Sequence, residues 1–315
     1  RNLNYQPHDA AQRLVRRVDS QVKRTYNIGL ILGRVSYKFA DPFWSPVLEG
    51  VDDELIRQEY HLRFAFSIDD LQRRSHHQLL SRSYVDGLIV VGGAHPLAEV
   101  IGTGMNPDRT VVVEGSNDLG RSYETLPTDI IAKEKRRSIF RMVDHLVKLG
   151  HRKLLFLGPA PGKDERAEAF IDAMARYSLT YDAGLCLYSP FPAEGAYEVA
   201  KSLLAGSERP SALVCGCDTI AIGAMRAAKE RGLSLPDDIA ITGFDDIAFA
   251  RDLDPPLTTI HVPKELLGEL AVRKLIERIN FPDRPPVVQL VPTTLVVRRS
   301  CGASPHESAA GTEQS

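Results

Sequence analysis

Sulfur and indole are scarce in this chain: four cysteines and one tryptophan are spread over 315 residues. Cys186, Cys215, Cys217 and Cys301 do not have the spacing of a metal site, since Cys215-Gly216-Cys217 has no matching Cys/His pair nearby. Cys186 and Cys215 lie in apolar runs, as free buried thiols do in a reducing cytoplasm. No apolar run reaches the ~18 residues of a membrane span. The early basic residues are not followed by the apolar stretch of a signal peptide, so a cytoplasmic location is expected. Net charge is also small, -2 in all. What remains is a globular composition, 43% hydrophobic and 25% charged, long enough for two cores.

The amino-terminal stretch departs from that average. Arg1, Arg13, Arg16, Arg17, Lys23 and Arg24 face only Asp9 and Asp19 in the first 24 residues, a local excess of positive charge that suits phosphates. Pro7 fits a first helical turn, and Ala10 to Leu14 continue it. A helix this short is marginal in water and forms only when something else holds it. A solvated linker has the same charge, but the apolar order Tyr5, Ala11, Leu14 argues for a coupling element.

Downstream, apolar runs alternate with helix-period segments. Ile28 to Leu32 reads as a strand, Val47 to Tyr60 as a helix, and Leu62 to Phe66 as the next strand. A helix from Leu71 to Ser83 leads to strands at Gly87 to Val91 and Thr110 to Glu114. The pattern restarts with a helix over 134–149, stopped by Gly150, and a strand at Lys153 to Leu157. Helices 164–177, 194–204 and 218–231 then alternate with strands 184–188, 211–215 and 239–243. After Pro255-Pro256 come a strand at Thr258 to His261, a helix from Lys264 to Ile279 and a strand region from Val287 to Val297. The expected class is α/β, with two doubly wound parallel-sheet lobes. The expected boundaries are a linker over 1–24, a first lobe over 25–128 plus 259–282, a second over 129–258 plus 283–300, and a disordered tail over 301–315.

Ligands of parallel α/β sheets gather beyond the carboxyl ends of strands. Four such loops carry unusual residues: Asp41-Pro42-Phe43-Trp44, Lys163 to Arg166, Cys217-Asp218, and Asp245-Asp246. An aromatic pair opposite an Arg and an Asp suits a polyhydroxylated ring, with the aromatic face on C–H surface and the charged groups on hydroxyls. Each element alone also has a structural reading. Phe43 and Trp44 suit a hydrophobic staple, Arg166 a charged helix surface, and Asp245 an N-cap.

Taken together, the motifs resemble the lactose-repressor/galactose-repressor (LacI/GalR) family. Asn4-Tyr5-Gln6-Pro7 with Ala11-Gln12-Arg13-Leu14 looks like the end of its DNA-binding headpiece and its hinge helix. Val85-Asp86-Gly87-Leu88-Ile89, His145 to Arg152, Asp218 with Ala221 to Met225, Leu235 to Ile239, Gly243-Phe244-Asp245-Asp246 and Pro256 to Ile260 resemble the repressor core in order and spacing. The resemblance implies a periplasmic-binding-protein-like type I fold and a helix-turn-helix headpiece upstream of Arg1. It implies that Tyr5, Ala11 and Leu14 act at DNA, Leu14 wedging into the minor groove beside its counterpart from a second subunit. It also implies an effector site at Phe43, Trp44, Arg166 and Asp245. Departures concern that site: Cys217 stands where many members have an effector-binding Asn, Glu114 and Glu134 where Asp is usual, and Ser138 where Gly is common. At the position of the stacking aromatic seen in some members this chain has Pro190, with Phe191 next to it. These changes alter cavity volume and hydrogen bonding, so a familiar sugar does not transfer.

Enzymatic motifs fail on chemistry. Gly158 to Asp164 superficially looks like a phosphate loop, but its glycines are one residue too close and Asp164 replaces the magnesium-holding Ser/Thr. Gly102-Thr103-Gly104 lacks a third glycine, His76-His77 sits in a polar helix, and no Gly-x-Ser-x-Gly elbow occurs. The expectation is therefore a non-enzymatic, cofactor-free, effector-responsive homodimeric transcription regulator, with operator DNA and a sugar or related metabolite as partners. A solute-binding protein of a transport or chemotaxis system is the second reading. Leu14→Ala in the full-length protein is expected to weaken operator binding without altering the melting temperature of the core. Unchanged affinity in a gel-shift titration would remove the wedge.

Overall fold

A computed structural model describes residues 24–33, 41–68, 79–81, 83–92, 107–113, 128–179, 186–188, 193–206 and 209–303. Tyr5, Ala11, Leu14, Glu114, Phe191 and most of the expected helix over 71–83 lie outside these residues. Strands β1 (Asn27–Leu32), β2 (His61–Ser67), β3 (Gly87–Val91), β4 (Thr110–Val113), β5 (Asp129–Lys133) and β11 (Val288–Val291) form one sheet in the order β11-β5-β4-β3-β1-β2. Every pairing in it is parallel. A second parallel sheet has the order β7-β6-β8-β9, from Cys186–Tyr188, Leu154–Gly158, Ala212–Cys215 and Ala240–Thr242. A third, two-stranded antiparallel sheet pairs β10 (Thr259–His261) with β12 (Thr294–Val296).

Six helices accompany the sheets among the described residues: α1 (Trp44–Arg57), α2 (Arg136–Lys148), α3 (Glu165–Arg176), α4 (Ala193–Leu203), α5 (Asp218–Glu230) and α6 (Lys264–Asn280). None is long and apolar enough to cross a membrane. Alternation along each strand divides the cores. Leu154 and Phe156 of β6 join one apolar cluster, while Leu155 and Leu157 join the cluster on the opposite face. Both faces are covered, which is why these strands read as continuous apolar runs rather than as alternating ones.

The two lobes divide the chain differently from the expected boundaries. The expected boundaries put residues 129–133 in the second lobe, with no strand there. These residues form β5, with Ile130, Ile131 and Ala132 fully buried between β4 and β11. The segment expected to close the second lobe splits, with β11 entering the first sheet and β12 pairing with β10. The reason lies in α6, which packs on α1 and across β3, β4 and β5. A helix lying there delivers the following strand to the edge of the same sheet. Cys301, expected to open the tail, is instead fully buried within the turn Arg299–Cys301.

Two glycines set the α1–α6 contact. A Cβ at Gly50 would lie 2.0 Å from the Glu265 carbonyl oxygen, and one at Gly268 would lie 2.1 Å from that of Val47. Backbone-to-backbone packing this close leaves no room for a methyl group. Beside it, Glu54 is nearly fully buried yet satisfied: Arg273 donates two hydrogen bonds, at 2.9 and 3.0 Å, and Gln58 and Arg57 donate one each. The Arg273 guanidinium is the main reason the Glu54 carboxyl is held down at about 2. Gly268→Ala is expected to destabilise the fold by about 2–3 kcal/mol through overpacking, read as a lower urea midpoint at unchanged slope. An unaltered midpoint would mean that the two helices separate freely.

Candidate functional site

The carboxyl ends of β5 and β9 come from different sheets and converge. Lys133 ends β5, and its Nζ lies 2.8 Å from Oδ1 of Asp245 in the loop after β9. Both side chains are buried, at 2% and 10% exposure. The ammonium also sits over the Phe43 ring, 4.1 Å from its centroid, and 5.3 Å from that of Phe244. Such placement replaces part of the lost hydration by ring quadrupoles. Burial nevertheless lowers the Lys133 pKa, opposed by Asp245 and reinforced by the neighbouring charges of Arg166 and Lys135.

Local sequence explains how each group is presented. Asp41 holds the turn that leads into α1, its Oδ1 accepting from the backbone N–H of Phe43 and of Trp44, both at 2.9 Å. That fixes the aromatic pair edge to face, 4.8 Å between centroids, with Phe43 buried under Lys133. Asp164 caps α3 by accepting from the Arg166 backbone N–H, and the Arg166 side chain turns back to it, Nε at 2.7 Å and Nη2 at 3.0 Å. Nη1 donates to the Gly216 carbonyl. Three of the five guanidinium N–H groups are therefore held by the protein itself, and Arg166 is fully buried. Asp164 is held below the usual carboxylate range, the charges of Arg166 and Lys135 outweighing its burial.

The Gly243-Phe244-Asp245-Asp246 loop is shaped by close approach. A Cβ at Gly243 would lie 2.1 Å from Asp218 Oδ1, so only glycine fits. Asp245 and Asp246 both have positive φ, 114° and 51°, conformations that short polar residues tolerate best. Lys264, the first residue of α6, donates to the carbonyls of Asp245, Asp246 and Val262 at 2.8, 3.0 and 3.2 Å, tying this loop to the helix on the first sheet. Burial would raise Asp246, but hydrogen bonds from His261 and Arg298, at 2.9 and 2.7 Å, bring its carboxyl down to about 2.

Of the candidate residues, Phe43 and Asp245 thus meet at Lys133, and Arg166 shares the Phe244 ring with that lysine, each cation 5.3 Å from its centroid. Trp44 is half-buried at the edge of Phe43. Cys217 is buried, its Sγ 3.0 Å from Thr219 Oγ1, and desolvation together with the Asp245 charge pushes the thiol up to about 12. Lys133, Phe244 and Lys264 are functional candidates that sequence reasoning missed. The signal for Lys133 was a lone cation ending an apolar run, Ile130-Ile131-Ala132-Lys133.

This geometry, two parallel sheets meeting over a cluster of buried charges and rings, agrees with the comparisons. A family model described as a periplasmic binding protein-like domain matches residues 143–301. The HTH-type transcriptional repressor PurR of Haemophilus influenzae (strain PittEE) is 31% identical over 298 residues, which cover 90% of this chain and 81% of that one. The chain belongs to the LacI/GalR family. The ribose operon repressor of Haemophilus influenzae (strain ATCC 51907 / DSM 11121 / KW20 / Rd) is 30% identical over 302 residues, covering 95% of this chain and 86% of the relative. Among solved structures, the transcriptional regulator CelR–cellobiose complex matches with a TM-score of 0.77 at 23% identity, covering 94% and 92% of the two chains. The lac repressor dimer bound to operator and the anti-inducer ONPF matches with a TM-score of 0.73 at 22% identity, covering 96% and 87%. As a LacI/GalR member the chain is an effector-responsive transcription regulator and not an enzyme, and the solute-binding reading is not favoured.

One buried acid beside the cluster gives a pH prediction. Asp218 is fully buried, its Oδ2 accepting from the Ile247 N–H at 2.8 Å and its Oδ1 from the Thr259 hydroxyl at 2.5 Å. Desolvation, then the Asp245 charge, raises it from the ordinary 3.8 to about 8. The folded protein therefore holds a proton that the unfolded chain releases, and its stabilising contribution is full below 3.8 and lost as pH rises through about 8. Asp218→Asn, an uncharged near-isostere, is expected to flatten the fall in melting temperature across that range and to raise it at the alkaline end. A parallel pH profile for the two proteins would contradict the shift.

Proposed function

We propose that the effector binds between the two sheets, against Asp245, Phe43 and Trp44, with Arg166 and Cys217 behind them. Glu114 and Phe191 are proposed to complete the site from outside the described residues. The observation that carries this reading is the 2.8 Å contact of Lys133 with Asp245, because it places a buried polar junction where one sheet ends on the other. A molecule inserted there changes the spacing of the lobes only if it binds one arrangement better than the other. The spacing is read out at the amino-terminal hinge segment, Tyr5, Ala11 and Leu14, paired across a homodimer on operator DNA. A sugar or related metabolite suits the aromatic and carboxylate faces, and relatives named for ribose or complexed with cellobiose support that class. Arg166 then has a supporting rather than an exposed role, since removing it would leave the buried Asp164 carboxylate only the 3.8 Å contact with Lys135.

Asp245→Asn is the informative substitution, because Asn tolerates the positive φ and keeps the volume while losing the charge. In a thermal-shift screen of the full-length protein against sugars, sugar phosphates, polyols and nucleobases, the ligand that stabilises the wild type is expected to lose that effect in the variant. The same ligand is expected to alter operator affinity in the wild type alone. Undiminished stabilisation of the variant would move the site away from Asp245.

A further inference from the structure

Lys133 belongs to two features at once. Its ammonium meets Asp245 and Phe43 at the interlobe junction. It also lines a groove of about 470 Å³ that runs past the start of α2 to α3 and the edge strand β11, within the ~300–1,000 Å³ typical of small-molecule sites. The described lining includes five basic residues, Lys133, Lys135, Arg136, Arg137 and Arg176, against two acidic ones. Part of this charge is already balanced: Arg136 pairs with Asp172 at 2.6 Å, and Arg137 lies 3.9 Å from Glu134. Lys135, almost fully buried, stands 3.8 Å from an Asp164 carboxylate that Arg166 already engages through two hydrogen bonds.

The chemistry offered to a ligand changes accordingly. A carboxylate in a cleft accepts hydrogen bonds from hydroxyl groups. An ammonium only donates. With Lys133 taking one oxygen of Asp245 and covering Phe43, the group met at this point from the first sheet is a desolvated cation. Its partner of choice is an acceptor carrying negative charge, since charge-assisted hydrogen bonds gain most where water is excluded. Cations along the groove that Lys133 also lines raise the local concentration of anions beside it.

We infer that Lys133 is a specificity-determining residue of the effector site, selecting a sugar derivative that carries an anionic group, a carboxylate or a phosphate, over its neutral parent. The inference rests on the proposal that the effector binds between the sheets. It does not require Lys133 to leave Asp245, because an ammonium has three donors and the carboxylate uses one.

The test is a thermal-shift titration of the full chain with matched sets: D-glucose, D-gluconate and D-glucose 6-phosphate, and D-ribose, D-ribonate and D-ribose 5-phosphate. Inorganic phosphate at equal concentration measures the non-specific contribution of the anion. An anionic member is expected to raise Tm where its neutral parent and inorganic phosphate do not, and the responding arm, acid or phosphate, identifies the group. Lys133→Met is expected to weaken that ligand by about tenfold or more, the value of one lost charge-assisted hydrogen bond, while Lys133→Arg retains it. The wild-type comparison stands even if Lys133→Met fails to fold. No shift from any anionic member, or a shift matched by the parent sugar or by inorganic phosphate, overturns the inference. A neutral sugar whose shift is lost in Asp245→Asn but kept in Lys133→Met overturns it and leaves the interlobe site standing. A shift kept in both variants overturns both.

Discussion

The cleft depends on one electrostatic constraint: charged groups taken out of water must find partners across the gap between two sheets. Lys133 and Asp245 do this for each other at 2.8 Å, and Phe43 and Phe244 shield the ammonium. Such a pair adds little net stability, because desolvation cancels most of the attraction, whereas deleting one partner and leaving the other buried is costly. That asymmetry suits a switch. The closed contact holds without being strongly favoured, so a ligand of modest differential affinity can redistribute the arrangements.

The rest of the architecture keeps the two ends in register. The chain passes from the first sheet to the second after β5, returns at α6, and leaves again between β11 and β12. Each passage is tied by polar groups. Ser138 at the start of α2 shares a hydrogen bond with Thr293, whose carbonyl accepts from Arg141 at 2.8 Å. Lys264 grips the Asp245–Asp246 carbonyls from the start of α6. Arg278, near the end of α6, pairs with Asp129 at 2.7 Å and reaches the carbonyls of Pro282, Arg284 and Pro285, which positions the chain for β11. Strands separated by more than 150 residues in sequence are thereby aligned at the cleft, β5 beside β11 in parallel register. The glycine contact of α1 with α6 anchors the returning helix to the first lobe by shape rather than by charge.

Legibility from sequence followed the range of the interactions. Helices such as α3 and α5 were foreseen within a residue or so because an apolar stripe, joined at α3 by the Asp164 cap, is a local feature. Asp41 and Asp164 sit at helix starts for the same local reason. Strand β5 was missed although Ile130-Ile131-Ala132 is apolar, because a run that short has no helical or alternating period to mark it. Arg166, expected in the loop after β6, lies in the first turn of α3, and its orientation toward Asp164 and Gly216 depends on a fold-back and on a distant carbonyl that no spacing reveals. Lys133 escaped notice because a single lysine after an apolar run is usually a solvated strand end.

Composition, period and loop chemistry by themselves determined an α/β chain with two parallel sheets and loops rich in aromatic and charged groups, while the resemblance of its motifs pointed to the family. Those properties are carried by neighbours in sequence. The assignment of β5 and β11 to the first sheet, the meeting of Lys133 with Asp245 112 residues away, and the burial of Arg166 were decided by the tertiary structure alone. Removing charges from water makes their energy depend on which distant group is within ~3–4 Å, and only the packed lobes settle that.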